Sequence, residues 1–140
     1  MPDESTTPDL VEISRRAYEA VNRRDFDAVM SFWGPDGVWD LSPNGLGVYE
    51  GRAAVRSFFE DWMGAYGDFA FDVEEIRDLG NGVTFAVIVQ TGRPVGSIGE
   101  ARVRYGAVTQ RADGLIVRVT NYPDIDEARA AAERLAEERE

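Results

Sequence analysis

The chain has 140 residues, of which 44% are hydrophobic, and its formal net charge is −11. A chain of this size and composition buries enough apolar surface for one packed domain. The acidic balance argues against nucleic acids and anionic membrane surfaces as partners, because both bind basic faces.

The residue types that the chain lacks exclude several catalytic mechanisms and kinds of metal site. The chain contains no cysteine and no histidine, and all 15 of its basic residues are arginines. Thiolate, imidazole and lysine Schiff-base chemistry are therefore excluded, as are metal sites built on Cys or His. Catalysis would depend on carboxylates, Tyr, Arg, Ser, Thr or bound water. No EF-hand loop or tight acidic cluster predicts a metal site, and no cofactor is predicted.

The N-terminal residues carry no targeting pattern. Residues 1–8 lack a basic and then apolar run, and no apolar run approaches the ~20 residues that span a bilayer, so we expect a cytoplasmic protein. Residues 1–8 are also expected to be frayed. A single domain is predicted over residues 9–137.

Two helices are predicted to open the domain as a hairpin. Thr7, Pro8 and Asp9 are typical of a helix start, with Thr7 as the cap. The first helix ends at residues 22–24. Asp25 is expected to cap the second helix, whose apolar residues extend to position 33, before a Gly/Pro turn at 34–37.

The segment from residue 55 to 66 has the strongest pattern of the chain. Gly51 and Gly67 are expected to bound this helix, the latter as a left-handed stop. The large apolar residues follow the spacing of one helix face: Val55, Phe58, Phe59, Trp62, Met63 and Tyr66. Such an aromatic ridge needs a large apolar partner, and we expect a curved sheet to supply it.

Five strands are predicted, one before the long helix and four antiparallel strands after it: 38–41, 69–74, 83–89, 101–107 and 115–121. The nearly all-apolar third strand is expected to be covered on both faces. In the last strand, Leu115, Val117, Val119 and Asn121 are expected to share one face. An acid-capped helix follows Pro123. The fold class is therefore α+β, with the helices gathered on one face of a bent sheet and the ridge lying along its third and fifth strands.

This order and four motifs resemble the SnoaL-like branch of the nuclear transport factor 2-like superfamily. The motifs are DFDA at 25–28, DGVWD at 36–40, YEGRAAV at 49–55 and NYPD at 121–124. The resemblance implies a cone-shaped α+β barrel, in which a curved, mostly antiparallel sheet wraps around the long helix. It also implies a pocket at the wide end and a homodimer through the outer sheet face. Members include isomerases, polyketide cyclases, epoxide hydrolases, dehydratases and binders, so no single reaction follows.

The catalytic residues of three such enzymes do not transfer intact. In an ungapped match, the base of ketosteroid isomerase falls at Leu41, one residue after Asp40, and its oxyanion tyrosine falls near Ala17, beside Tyr18. The strand that carries Arg and Asp in limonene epoxide hydrolase is apolar here. The aspartate that ends the last strand in that enzyme and in SnoaL is replaced by Asn121.

Three residues are candidates for catalysis. Asp40 lies between Trp39 and Leu41, which would desolvate it and raise its pKa towards that of a general base; alternatively, it hydrogen-bonds the following loop. Asn121 is expected to donate to a ligand carbonyl or to hold the strand end against the first helix. Tyr18 is either a pocket donor or a structural hydrogen-bonding group.

Other residues are candidates for substrate binding. Arg102 and Arg104, with Gln110 at the same parity, would form an anion-binding wall if they point into the cone. If they point outward, they are solvated or pair with the acidic surface, which the acid excess favours. Aromatic residues at helical spacing are usually core, yet in a cone some of them also line the cavity: Trp33, Phe59, Trp62, Met63 and Tyr66.

Three functions stay open at this point. The leading hypothesis is a homodimeric protein whose apolar pocket holds a hydrophobic or aromatic small molecule. If it is an enzyme, we expect an isomerase or cyclase that uses Asp40 as the base beside a carbonyl. The alternatives are a binder without catalysis and a dimeric interaction domain whose cone is filled. An Asp40 carboxylate inside the cavity would support catalysis, and one turned to solvent would support binding alone.

Overall fold

The structure, a computed structural model, describes residues 9–139. The expected frayed terminus, with Thr7 and Pro8, lies outside the described residues. The helices are α1 (Leu10–Asn22), α2 (Phe26–Ser31), α3 (Arg52–Gly64) and α4 (Ile125–Glu138). The strands are β1 (Trp33–Asp40), β2 (Val48–Glu50), β3 (Tyr66–Gly80), β4 (Val83–Pro94), β5 (Ala101–Ala112) and β6 (Leu115–Tyr122). The predicted α+β class is confirmed.

The six strands form one mixed sheet in the order β2-β1-β6-β5-β4-β3. Neighbouring strands are antiparallel except for β1 and β6, which are parallel. The ring centroids of Trp39 in β1 and Phe59 in α3 are 4.5 Å apart. Those of Phe69 in β3 and Trp62 in α3 are 5.4 Å apart. Because β1 and β3 lie near opposite ends of the sheet order, the sheet curls around α3 as the cone requires.

The predicted apolar face of α3 is buried, with Val55, Phe59 and Met63 in the core. This ridge packs directly on β1, β2 and β3. Of the strands expected beside it, β6 instead faces it across two interior cavities and β4 across the larger of them, although both strands share its core cluster. The interior of the cone is therefore not completely filled by its own side chains.

Several element ends differ from the predictions because a local cap or a strand irregularity decides them. Asp9 is itself the cap of α1 and accepts from the Glu12 backbone N–H at 3.1 Å, so the helix begins two residues later than a Thr7 cap predicts. Asp25 caps α2 as predicted, but the helix ends at Ser31. The chain leaves α3 through Ala65, which has right-handed dihedrals, so Tyr66 begins β3 instead of ending the helix. Gly67 has no positive φ and is not a left-handed stop.

The segment 34–37 was predicted as a turn, but it lies inside β1. The pairing of β1 with β6 is irregular between Trp33 and Val38, so this strand accommodates glycines and a proline through a bulge. A Cβ at Gly37 would lie 2.7 Å from the Trp33 ring, which explains a glycine there.

The loop after β1 also holds a strand that the prediction missed, β2, which pairs with β1.

Helix α4 corrects the prediction that all helices lie on one face. Val83, Phe85 and Val87 of β4 form a second apolar cluster with the alanines of α4 on the outer face. Ala86 and Ile88 of the same strand belong to the interior core. Strand β4 is therefore covered on both faces, as its sequence predicted, because α4 lies outside the cone.

A bulge in β6 changes which of its residues face the interior. The pairing of β5 with β6 shifts between Gln110 and Arg111, so Val117 has no partner in the register and is 38% exposed. The prediction that Leu115 and Val117 share the inward face with Val119 and Asn121 is therefore wrong for the first two residues. Ile116 and Val119 line the interior instead, and the alternation continues to Asn121.

Candidate functional site

Two cavities lie inside the cone, the larger between α3 and the sheet and the smaller between α1 and the sheet. The larger, which we call the outer cleft, has a volume of about 460 Å³ and is lined mainly by apolar and aromatic side chains. Leu46 and Val103 in its lining are 61% and 51% exposed, so the cleft opens to solvent. The smaller, which we call the inner cavity, has a volume of about 60 Å³. Tyr105 lines both, so its side chain stands between them.

The outer cleft has an aromatic wall. Phe58 stacks on Tyr49 with ring centroids 4.3 Å apart, and it lies 5.5 Å from Trp62. The polar lining residues are few: Asn44, Gln90 and Asn121, with the tyrosines Tyr49, Tyr66 and Tyr105. The Asn44 side chain donates to the backbone oxygen of Asn121 at 3.3 Å, which holds the loop after β1 against the end of β6. An apolar site of this size with a few polar groups is typical of small-molecule binding.

Arg111 is the main polar residue of the inner cavity. It shares the parity of Tyr105 and Thr109 on β5, so it faces the interior, and it is only 4% exposed. Its Nη1 donates to the Thr84 Oγ1 at 3.0 Å. Its Nε has no hydrogen-bond partner among residues 9–139, and no carboxylate in that range lies within ion-pair distance.

Burial shifts the pKa values of the ionisable side chains that line the inner cavity. Burial lowers the pKa of Arg111, while Tyr18 and Asp78 act to raise it. An arginine starts from so high a pKa that the group stays a cation at neutral pH. Burial raises the pKa of Tyr18 to about 12, although Arg111 opposes this. The pKa of Tyr105 is also raised well above its usual value by burial, and further by Tyr18. Both phenols are therefore neutral hydrogen-bonding groups at physiological pH, not bases.

Trp39 contributes a second unpartnered donor. Its side chain is 3% exposed and lines the inner cavity, and its Nε1–H has no acceptor among the described residues. The indole lies 5.3 Å from Phe58 and 5.7 Å from Trp62 between ring centroids. Trp39 thus connects the inner cavity to the aromatic wall of the outer cleft.

Asp40, the candidate base, lies outside both cavities. Its carboxylate accepts from the Arg118 Nη2 at 2.6 Å and from the Ser42 backbone N–H and Oγ at 2.9 and 2.6 Å. Burial raises the pKa of Asp40, but the hydrogen bonds from Ser42 and the pairing with Arg118 outweigh it, so the pKa lies below its usual value. This corrects the expected upward shift. The observed contacts are those of the alternative interpretation, a carboxylate that binds the following loop.

The three candidate catalytic residues are not brought together. Tyr18 lines the inner cavity, Asn121 lines the outer cleft, and Asp40 lines a groove on the far side of the sheet beside α4. A site in which these three groups act on one carbonyl is therefore not assembled in this structure.

The candidate binding residues are divided in the same way. Trp33 and Phe59 line the inner cavity, and Trp62 and Tyr66 line the outer cleft. Met63 is almost completely buried and lines neither.

The polar candidates on β5 point away from the interior of the cone, as the second of the two interpretations expected. The Arg104 Nε donates to Glu74 at 2.8 Å on the outer face. Arg102 is exposed at the same parity, and Gln110 lines the groove beside Asp40. The inward-facing cation of this strand is Arg111, which the sequence interpretation did not single out. Its odd parity with Tyr105 and Thr109 is the signal that would have found it.

Two further observations concern metal binding and membrane-spanning helices. Among residues 9–139, no three acidic side chains are grouped to hold a metal ion. Over the same range, every helix is too short or too polar to cross a membrane.

No curated protein has a matching sequence. Among solved structures, an NTF2-like protein of unknown function from Burkholderia pseudomallei K96243 is 21% identical, with a TM-score of 0.73 over 90% of this chain and 98% of that chain. TerC, co-crystallised with polyporic acid, is 17% identical, with a TM-score of 0.71 over 89% and 98%. A candidate polyketide cyclase from Xanthomonas campestris is 28% identical, with a TM-score of 0.65 over 84% and 92%. The SnoaL-like domain matches residues 14–119, more than half of the sequence. The chain therefore belongs to the SnoaL-like family and has the NTF2-like fold that its motifs predicted.

Proposed function

We propose that this protein binds a hydrophobic or aromatic small molecule in the outer cleft. The observation that carries the proposal is an open, aromatic cleft of about 460 Å³. Phe58, Trp62 and Tyr66 supply apolar contact area, and Gln90 and Asn121 supply amide groups that orient a ligand. Each of these polar groups reaches the cleft from a strand, so the lining is held by the sheet.

Binding is favoured over catalysis by a carboxylate base. Among the described residues, neither cavity is lined by Asp or Glu. Asp40 is ionised, paired with Arg118 and outside the cone. A small-molecule ligand also agrees with the fold relative TerC, which was crystallised with polyporic acid. The open volume argues against the third hypothesis, a cone filled by its own side chains.

The test is binding of the neutral fluorescent probe N-phenyl-1-naphthylamine to a variant that blocks the cleft. Val103 lines the cleft and is half-exposed, so Val103→Trp should fill the opening without disturbing the core. We expect its probe affinity to fall by about tenfold or more, because the indole removes apolar contact area from the site.

Val117→Trp is the matched control, because Val117 is another half-exposed strand valine that lines neither cavity. It should bind the probe as the wild type does, and both variants should melt near the wild-type temperature. Equal affinity of V103W and wild type, or no binding to the wild type, would reject the outer cleft as the ligand site.

A further inference from the structure

The inner cavity contains two buried donors without acceptors. Among residues 9–139, Arg111 is the only charged residue that is buried, and its Nε has no partner. The Trp39 Nε1–H, on the lining of the same cavity, also has none in that range. Buried donors are nearly always paired, because desolvation without a hydrogen bond costs several kcal/mol for a charged group. The pair therefore requires an acceptor that these residues do not provide.

Nearby acids do not supply that acceptor. Asp78 is close enough to raise the pKa of Arg111, but it forms no ion pair with it, and its Oδ1 accepts from the Gly80 backbone N–H. Other arginines of the described chain, such as Arg104 and Arg118, pair with carboxylates on the surface. Arg111 thus differs from them in both burial and pairing.

The position and size of the inner cavity indicate what would bind there. Its volume of about 60 Å³ has room for a carboxylate or a few waters but not for a whole aromatic molecule. Tyr105 alone lies on the linings of both the inner cavity and the outer cleft. Tyr105 is therefore the side chain that would have to move for one ligand to occupy both the apolar outer cleft and the space beside Arg111.

We propose that Arg111 binds the acidic group of the ligand, so that the protein selects aromatic or hydrophobic acids over neutral compounds of the same shape. The acidic oxygens would accept from the Arg111 guanidinium and the Trp39 indole, while the aromatic body occupies the outer cleft. This inference rests on the proposed function and adds the charge of the ligand to it. A charge-assisted hydrogen bond to a buried guanidinium is strong enough to produce such a selection.

The experiment compares 4-biphenylcarboxylate with its neutral amide, 4-biphenylcarboxamide, by calorimetric titration. We expect the wild type to bind the acid about tenfold or more tightly than the amide. Arg111→Met should reduce the acid to the affinity of the amide and leave the amide unchanged. Arg102→Met is the matched control, because Arg102 is exposed on the outer face of the same strand, and it should keep the preference.

The outcomes separate this inference from the proposed function. A wild type that binds N-phenyl-1-naphthylamine without preferring the acid overturns the role of Arg111 alone, as does an Arg111→Met variant that keeps the preference. A wild type that does not bind N-phenyl-1-naphthylamine overturns the proposed function, and with it this inference.

Folding of the variant is measured in parallel. Replacing an unpaired buried charge by an apolar side chain of similar length is neutral or stabilising, so the melting temperature of R111M should equal or exceed that of the wild type. If R111M unfolds, Arg111→Lys keeps the cation and should keep most of the preference. Equal affinities of R111K for acid and amide would then overturn the inference.

Discussion

At the scale of single residues, the contacts of Asp40 make it a stabilising group. Three donors from Ser42 and Arg118 hold its carboxylate and keep its pKa below the usual value. A carboxyl group with a lowered folded-state pKa contributes stability above its unfolded pKa of about 3.9. That contribution is lost as the pH falls through the lower folded-state pKa.

Asp40→Asn should therefore lower the free energy of unfolding at neutral pH by about 1–3 kcal/mol, because charge-assisted hydrogen bonds are lost. The difference from the wild type should shrink as the pH falls below about 4. Urea denaturation at several pH values measures both effects.

Asp126→Asn is the control for that variant, since Asp126 pairs with Arg129 on the surface and its side chain is 91% exposed. It should change stability by less than about 1 kcal/mol. Because Asp40 lies outside the cavities, N-phenyl-1-naphthylamine should bind to D40N as it does to the wild type. Loss of binding with intact folding would contradict the structural role.

Tyr18 gives the opposite dependence on pH. Burial raises its folded-state pKa to about 12, so the unfolded chain, whose tyrosines ionise near pH 10, releases the proton first. Stability is complete below about pH 10 and falls as the pH rises towards 12. Tyr18→Phe should remove part of this loss of unfolding free energy at high pH, which denaturation at pH 8 to 11 measures. An unchanged slope would show that the Tyr18 hydroxyl ionises freely in the folded protein.

At the scale of secondary structure, regular segments were predictable and irregular ones were not. The ridge of α3 follows one helix face, so periodicity alone located Phe59 and Trp62. The alternation rule fails in β6, because the bulge at Val117 moves one residue out of register. Residues 34–37 fail for a related reason: glycines and a proline suggest a turn, but they form a bulge within β1, between Trp33 and Val38, which both pair with β6.

The contact of α4 with the sheet depends on the absence of a side chain at Gly106. An ideal Cβ there would lie 2.5 Å from the Ala128 Cβ and 3.4 Å from the Phe85 ring. Gly106→Ala should destabilise the protein by about 1–3 kcal/mol, as overpacking usually does. Chemical denaturation measures this loss.

Gly64→Ala is the matched control, since a Cβ at this helical position meets nothing within 4 Å. It should leave the stability unchanged or raise it by up to about 1 kcal/mol, because alanine has the better helix propensity. If G106A were as stable as G64A, α4 would have to shift readily on the sheet.

At the scale of the whole molecule, the existence of an interior space was predictable, but its polar end was not. A cone closed by an aromatic helix predicts a cavity, and helical spacing alone placed Trp62 on it. Tyr66 also lines it, but from the start of β3 and not from the helix that was predicted to carry it. Arg111 is held by Thr84 of the neighbouring strand β4, and Asp40, on the face opposite the buried Trp39, is held by Arg118. Such pairings join residues 27 and 78 positions apart and leave no local pattern.

The outer sheet face bears on the expected homodimer. Helix α4 covers part of β4 and β5, and the part of the outer face that bears Arg102, Arg104 and Glu74 is polar. We expect a homodimer through the uncovered part, with twice the monomer mass by light scattering. Arg104→Glu would place like charges beside Glu74 on this face and should weaken the homodimer. A wild type that stays monomeric at high concentration would contradict the dimer.

The clustering of the tryptophans gives the molecule its own optical reporter. The chain has three tryptophans, and all of them lie in one group, with Trp39 6.4 Å from Trp33 and 5.7 Å from Trp62 between ring centroids. Trp62 lines the outer cleft and the other two line the inner cavity. Excitation energy absorbed by any indole is therefore shared among neighbours that a bound molecule would touch. Quenching of the intrinsic emission should follow occupancy of either space without any label.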